Sequence, residues 1–155
     1  MKSGFDYKAF KEYVNNLGIA TEDFRLWLKT FLLKEAQRVV SLAKKRQRAV
    51  GAIDTGAMIN SWGIGTQSIQ LKNASDNYHV KIDPEKSTVA SIKVIGNVLE
   101  VAIWNGMEYA SFIEYGQRSY TGKYILRISI DTVQNALPKR FDSEFKKFLK
   151  DKGVV

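Results

Sequence analysis

The sequence predicts an α+β fold: a long N-terminal helix, a small antiparallel sheet of about four strands, a short inserted helix and a C-terminal helix. Three observations carry this. Apolar residues recur at helical spacing over the early part of the chain and again near its end. Between Trp62 and Trp104, short runs of alternating apolar and polar residues are separated by turn residues. The stretch Trp104 to Gly116 joins the two patterns. An apolar strand, Val98 to Trp104, breaks at Asn105-Gly106, and Tyr109, Phe112 and Ile113 follow at helical spacing up to Gly116, whose tolerance of a left-handed backbone ends the helix.

The 155 residues fit one domain, 1–155, with a core large enough to do without staples. The absence of cysteine rules out disulfides and thiolate metal sites. No apolar run follows Met1-Lys2 and none reaches bilayer length, so neither a signal peptide nor a membrane partner is expected. Lys and Arg total 24 against 16 Asp and Glu, a net charge of +8. Such a balance suits nucleic acid or an acidic partner surface, and equally a domain with solvated lysine-rich helices.

Phe5, Ala9, Phe10, Tyr13, Val14 and Leu17 form the first helical stripe, closed by Gly18. Thr21 is placed to cap a longer helix, with Glu22 and Asp23 at its positive end. Phe24, Trp27, Leu28, Phe31, Leu32, Val39, Leu42 and Ala43 give it apolar length to Arg48, about 40 Å at about 1.5 Å per residue. That is more than one small sheet can cover, so part of it is expected to pack beyond its own core. The helix ends in Lys44, Lys45, Arg46, Gln47 and Arg48. These cations complement the helix dipole, and a phosphate-binding patch is the alternative reading. No aromatic residue lies within the run to stack on a base.

Ala52-Ile53-Asp54-Thr55-Gly56-Ala57 has the wording of an aspartic protease motif, in which two aspartates share a proton and activate water. A single copy would need a homodimer, and the motif here follows a charged helix instead of β-strands. Asp54 or Thr55 is therefore expected to cap a short helix, with Met58, Ile59 and Trp62 packed inward. A strand is expected from Ile64 through Leu71 with an irregularity near Ser68, and another over Tyr78, Val80 and Ile82. His79, the single histidine, falls on the polar face of that strand, with no second histidine or cysteine to make a metal site.

Asp83-Pro84-Glu85-Lys86 turns the chain. Gly96-Asn97 between two alternating runs then signals a two-residue hairpin that sets Ile95 against Val98 and Lys93 against Glu100. After Gly116, Gln117 to Lys123 reads as a polar loop with Gly122 as a hinge. Tyr124 to Leu137 fits helix better than strand, with Leu126, Ile130, Val133 and Leu137 as its stripe. Pro138 fits the first turn of a new or kinked helix, whose apolar face is Phe141, Phe145, Phe148 and Leu149, fraying at Gly153.

Two segments carry a resemblance. Asp54-Thr55-Gly56-Ala57-Met58-Ile59-Asn60-Ser61-Trp62 is similar to a D-T-G-x-L-x-x-S-W signature, with Met58 in place of leucine. Asn105 through Tyr109-Ala110 and Ile113-Glu114-Tyr115-Gly116 is similar to N-x-x-x-Y-A-x-x-V-E-Y-G, with Ile113 in place of valine. Together they resemble the tail-completion, or head–tail joining, proteins of long-tailed bacteriophages, prophages and phage-tail-like particles. Asn73 to Thr88 looks longer than is usual there.

The resemblance implies a structural, non-enzymatic virion protein of the phage neck or tail end, made in the host cytoplasm. It would form a ring of like copies, a homohexamer, joining the tail tube protein to the head–tail connector or other neck proteins, with DNA passing through. It implies no cofactor. Asp54, Gly56, Trp62, Tyr109, Tyr115 and Gly116 would set the signature turns and core. Glu108, Glu114, Arg118, Tyr120, Lys123, Lys44, Lys45, Arg46 and Arg48 are the candidates for the assembly interface. A basic nucleic-acid-binding module, using Lys44 to Arg48, is the alternative from another class; its binding would weaken steeply with salt.

Overall fold

Two long helices form the frame of the described residues. The structure, a computed structural model, describes residues 7–52, 56–65, 92–96, 98–107 and 109–155. The expectations for Asp54 and Thr55 as caps, the strand after Ile64 as far as Leu71, the Tyr78 to Ile82 strand with His79, the Asp83 turn, Asn97 and Glu108 fall outside these residues.

The first helix, α1, spans Tyr7–Asn16, and α2 spans Thr21–Ala49, 29 residues. α1 ends on Gly18 at φ +77°, and the Ile19 N–H reaches back to the Val14 carbonyl at 3.2 Å, closing the helix as the sequence predicts. Thr21 does not cap α2. Ala20 occupies the cap position without a side-chain bond, while the Thr21 hydroxyl donates to Asn15 Oδ1 at 2.9 Å and ties the two helices' ends together.

The last helix, α4, spans Ile125–Asp151 without interruption, so Pro138 sits inside one helix and starts no new one. Proline has no N–H to offer the preceding turn and crowds its carbonyls. The bond it removes is the one to the Gln134 carbonyl, and Arg140 acts on the neighbouring one: its Nη2 donates to the Val133 carbonyl at 2.8 Å. The same guanidinium grips Glu35 of α2 with Nε at 2.9 and 3.0 Å from the two carboxylate oxygens and Nη2 against Oε2. Arg38 Nε adds a contact to Glu35 Oε1 at 3.3 Å. Glu35 is 4% exposed, and two guanidinium groups meet its buried side chain. In turn Glu35 holds Arg140 more firmly protonated than usual, against the opposing effect of burial.

α2 and α4 run antiparallel, because the start of α2 meets the end of α4. There Tyr7, Val14, Phe24, Leu28, Phe145, Phe148 and Leu149 bury a core rich in rings. Trp27 stacks on Phe148 with centroids 5.1 Å apart, and Phe31 and Phe10 each meet Phe141 edge-on at 5.4 Å. This helical partner is what covers the surplus apolar length of α2. Towards its C-terminus α2 turns a second stripe, Leu33, Ala36, Val40 and Ala43, onto another core with Met58, Trp62, Ile64, Ile92, Met107 and Ile125. The expected α4 stripe is out of phase: Ile125, Ser129 and Val133 are buried, while Leu126, Ile130 and Leu137 are half-buried. Ser129 hides the phase, since its hydroxyl bonds the Ile125 carbonyl at 2.7 Å and the residue packs as a small core side chain.

The strands are short: β1 Trp62–Ile64, β2 Lys93–Ile95, β3 Val98–Glu100, β4 Ile103–Asn105, β5 Gly116–Gln117 and β6 Tyr120–Thr121. A six-residue helix, α3 Ala110–Tyr115, lies between β4 and β5. Among the described residues the strands pair antiparallel as β1–β4, β2–β3 and β5–β6. The β2–β3 register sets Lys93 against Glu100 and Ile95 against Val98, as the turn chemistry and charge pattern predict. The expected single strand from Val98 to Trp104 is two, β3 and β4, with the chain changing partner at Val101 and Ala102.

Candidate functional site

The two signature segments meet at the C-terminal end of α2. β1 and β4 bring Trp62 opposite Asn105. Asn105 then joins the segments through its side chain: Nδ2 donates to the Met58 carbonyl at 2.7 Å, and Oδ1 accepts from the Met107 N–H at 3.1 Å. The Gly106 N–H reaches the Ser61 carbonyl at 2.9 Å. Met58, Ile59 and Trp62 are buried, as expected. Residues 57–60 form hydrogen-bonded turns and not a short helix; the Asn60 N–H bonds the Gly56 carbonyl at 3.2 Å.

Gln47, hidden in the sequence among cations, is fully buried and anchors this corner. Its Oε1 accepts from the Trp62 indole N–H at 3.0 Å, and its Nε2 donates to the Ala52 carbonyl at 3.0 Å. Both polar ends of a buried amide are thereby satisfied, which avoids a desolvation cost of about 1–3 kcal/mol. Lys44, Lys45, Arg46 and Arg48 surround it on the last turns of α2, with Lys45 and Arg48 exposed and Arg46 half-buried. Arg46 Nε is sealed from solvent and has no hydrogen-bond partner among the described residues.

Glu114, a candidate for the assembly interface, is turned inward in the single chain. It is 8% exposed, and its carboxylate accepts from the backbone N–H groups of Leu126 and Arg127, each at 2.9 Å. Those are orphan donors in the first turn of α4, so Glu114 caps that helix from a distance and meets its positive end. The residue at the cap position, Tyr124, contributes no side-chain bond and has φ +48° and ψ +44°. Tyr115 is not in the core, being 70% exposed. Tyr109 and Ile113 are half-buried and pack on the signature core, whereas Phe112 is exposed.

Gln117 to Lys123 is a tight hairpin built on β5 and β6, with Gln117 opposite Tyr120. Gly122 is no hinge. A Cβ there would lie 2.5 Å from the Glu114 carbonyl oxygen, and one at Gly116 would lie 2.5 Å from the Tyr120 carbonyl oxygen. Gly116 has φ +82° and ψ +169°, a region almost closed to other residues. The two glycines let the hairpin lie flat on the end of α3, where the Lys123 and Tyr124 N–H groups bond the carbonyls of Ile113 and Glu114 at 2.8 and 3.0 Å. Arg118 and Tyr124 are the non-glycine residues with positive φ among those described, so backbone strain collects around this hairpin.

The outcome is an exposed surface of Phe112, Tyr115, Tyr120 and Tyr124 mixed with Arg118, Lys123 and Arg127. Lys123 Nζ sits 5.5 Å from the Tyr120 ring centre, and the Arg127 guanidinium 5.9 Å from that of Tyr124. Beside it opens a cavity of ≈ 200 Å³ walled by Gln47, Ala52, Met58, Tyr109, Ile113 and Tyr120, so α2, both signatures and the hairpin share one depression. Among the described residues no group of histidine, aspartate and glutamate is arranged to hold a metal ion. No described helix is long and apolar enough to cross a membrane.

Comparison with curated proteins and with solved structures finds no match. A family model does match, over residues 8–116, which takes in α1, α2 and both signatures and stops at Gly116. That family is described as "Bacteriophage HK97-gp10, putative tail-component", and with well over half of its length matched, this chain belongs to it.

Proposed function

We propose that the protein is a structural, non-catalytic component of the virion at the phage neck or tail end. Copies assemble there as a ring, a hexamer by the resemblance, that joins the tail tube to the head connector. The family match supports a place in the tail. The observation that carries the assembly role is the surface at α3 and the β5–β6 hairpin. Four aromatic side chains stand exposed there beside three cations, on a hairpin that packs closely at Gly116 and Gly122 and next to the Glu114 cap of α4. Tyrosine and arginine are enriched at surfaces that bind other proteins, and a cluster of exposed rings marks such a surface.

A ring made by one chain needs two different faces that meet head to tail. The hairpin surface supplies one of them, and the tail tube or connector meets the others. Reconstruction of the neck and tail end of the parent particle tests the proposal. The expected result is a closed ring of this chain with hairpin residues between neighbouring copies. A single copy per particle that touches no other copy would contradict it.

A further inference from the structure

We infer that the cavity between the two signatures is a slot for an acidic polypeptide segment of a neighbouring protein, one large apolar side chain entering it while flanking carboxylates meet the cations on either side. Three observations converge. The cavity, ≈ 200 Å³, has an apolar floor of Met58, Ile113 and Ala52, with room for one leucine-sized or phenylalanine-sized side chain. Both walls belong to basic segments. The described lining itself holds no cation, but Gln47 is flanked in sequence by Arg46 and Arg48, and Tyr120 shares its hairpin segment with Arg118 and Lys123.

Among the described residues, ion pairs also lie elsewhere. Ion pairs join Asp23 to Lys152, Glu22 to Arg25, Asp142 to Lys146, Glu144 to Lys147 and Glu35 to Arg140, all along the α2–α4 frame. None among the described residues engages Arg46, Arg48, Arg118 or Lys123. Arg46 adds the third observation: its Nε is sealed from water without an acceptor, leaving a partly desolvated cation that an arriving carboxylate would compensate.

The same features fit nucleic acid less well. A duplex offers phosphates and no side chain to fill an apolar cavity. A single strand could stack on the exposed rings, but Tyr120, the exposed ring at the cavity, already has Lys123 over it. The slot rests on reading this corner as an assembly surface and does not depend on a ring. A ring seen on particles together with failed peptide binding overturns the slot alone.

The test measures fluorescence anisotropy of the full chain with a labelled peptide of glutamates around one central leucine. The expected result is binding that salt weakens and that is lost when glutamine replaces glutamate or glycine replaces the leucine. Arg48→Glu with Lys123→Glu should weaken it about tenfold or more. The charge-matched pair Lys8→Glu with Lys146→Glu, far from the cavity, should leave it unchanged, and Arg118→Glu repeats the loss at a separate cation. The inference is overturned if the acidic peptide does not bind, if the glutamine peptide binds as well, or if the distant pair weakens binding equally. Duplex DNA that displaces the peptide and is lost in the same variants would likewise overturn it, marking a nucleic-acid site.

Discussion

The two ends of the α2–α4 frame are built on opposite plans. At the start of α2, stability comes from rings packed on rings, with Phe24 fully buried among Tyr7, Trp27, Phe145 and Phe148. At the other end, polar groups position the chain: Gln47 holds Trp62, Asn105 holds the Met58 carbonyl, and Glu114 holds α4. The first plan works by close packing of apolar rings and needs no directed bond. The second fixes turns and strand ends in one geometry and leaves aromatic side chains outside. The difference teaches that one end of the frame is held by packed rings and the other by directed polar bonds, which leave aromatic side chains outside.

If that division is right, the largest losses of stability belong to the ring-packed end. Phe24→Ala should lower the unfolding free energy by about 3–5 kcal/mol, since a fully buried ring leaves a cavity its neighbours cannot close. Denaturant unfolding measures this, and a loss below about 1 kcal/mol would erase the contrast between the ends.

The next largest effect belongs to the pair that pins the middle of the frame. Arg140→Met should cost about 3 kcal/mol, because it leaves the buried Glu35 side chain with Arg38 alone to meet it. Adding Glu35→Leu should recover most of that loss. No recovery would mean that Arg140 acts through the Val133 carbonyl at the Pro138 turn, and not through the ion pair.

At the signature end, Glu114→Gln should cost about 1–2 kcal/mol, through loss of a charged cap at the start of α4. Hydrogen exchange should quicken at the Leu126 and Arg127 amides while amides around Phe145 keep their protection. Equal quickening at both places would show that the two ends unfold as one unit.

A smaller effect is electrostatic. The hydrogen bond from Lys147 holds the Glu144 carboxyl below its ordinary range. A depressed carboxylate stabilises the fold above its unfolded value and loses that contribution as pH falls through its folded value. The stability difference between wild type and Glu144→Gln should therefore narrow on acidification across that window. The effect is slight because the pair is solvated, and urea unfolding at several pH values follows it.

The frame was largely legible from local pattern. Phe141, Phe145, Phe148 and Leu149 announce their face by spacing, Gly18 marks the end of α1, and Gly96 with the Lys93 and Glu100 charges sets the β2–β3 register. The signature end was legible as motifs but not as roles. Glu114 beside aromatics looks like a surface acid; what makes it a cap is α4 arriving twelve residues later. Gln47 looks like part of a cationic run until Trp62 folds against it. Glu35 and Arg140 are separated by 105 positions, beyond any periodicity. The missed groups are polar side chains serving distant backbone or distant charge, and their partners are set by tertiary packing instead of by neighbours in sequence.

The most direct test removes the presented surface and leaves the frame alone. Arg118 and Tyr120 lie on the β5–β6 hairpin, both exposed, and neither belongs to a core cluster. The measurement is the melting temperature of the Arg118→Ala, Tyr120→Ala double variant beside its incorporation into tails. The account predicts a melting temperature close to that of the wild type and tails that lack the protein. Normal incorporation would contradict it by making the hairpin a mere connection, and an unfolded variant would contradict it by placing the hairpin within the core.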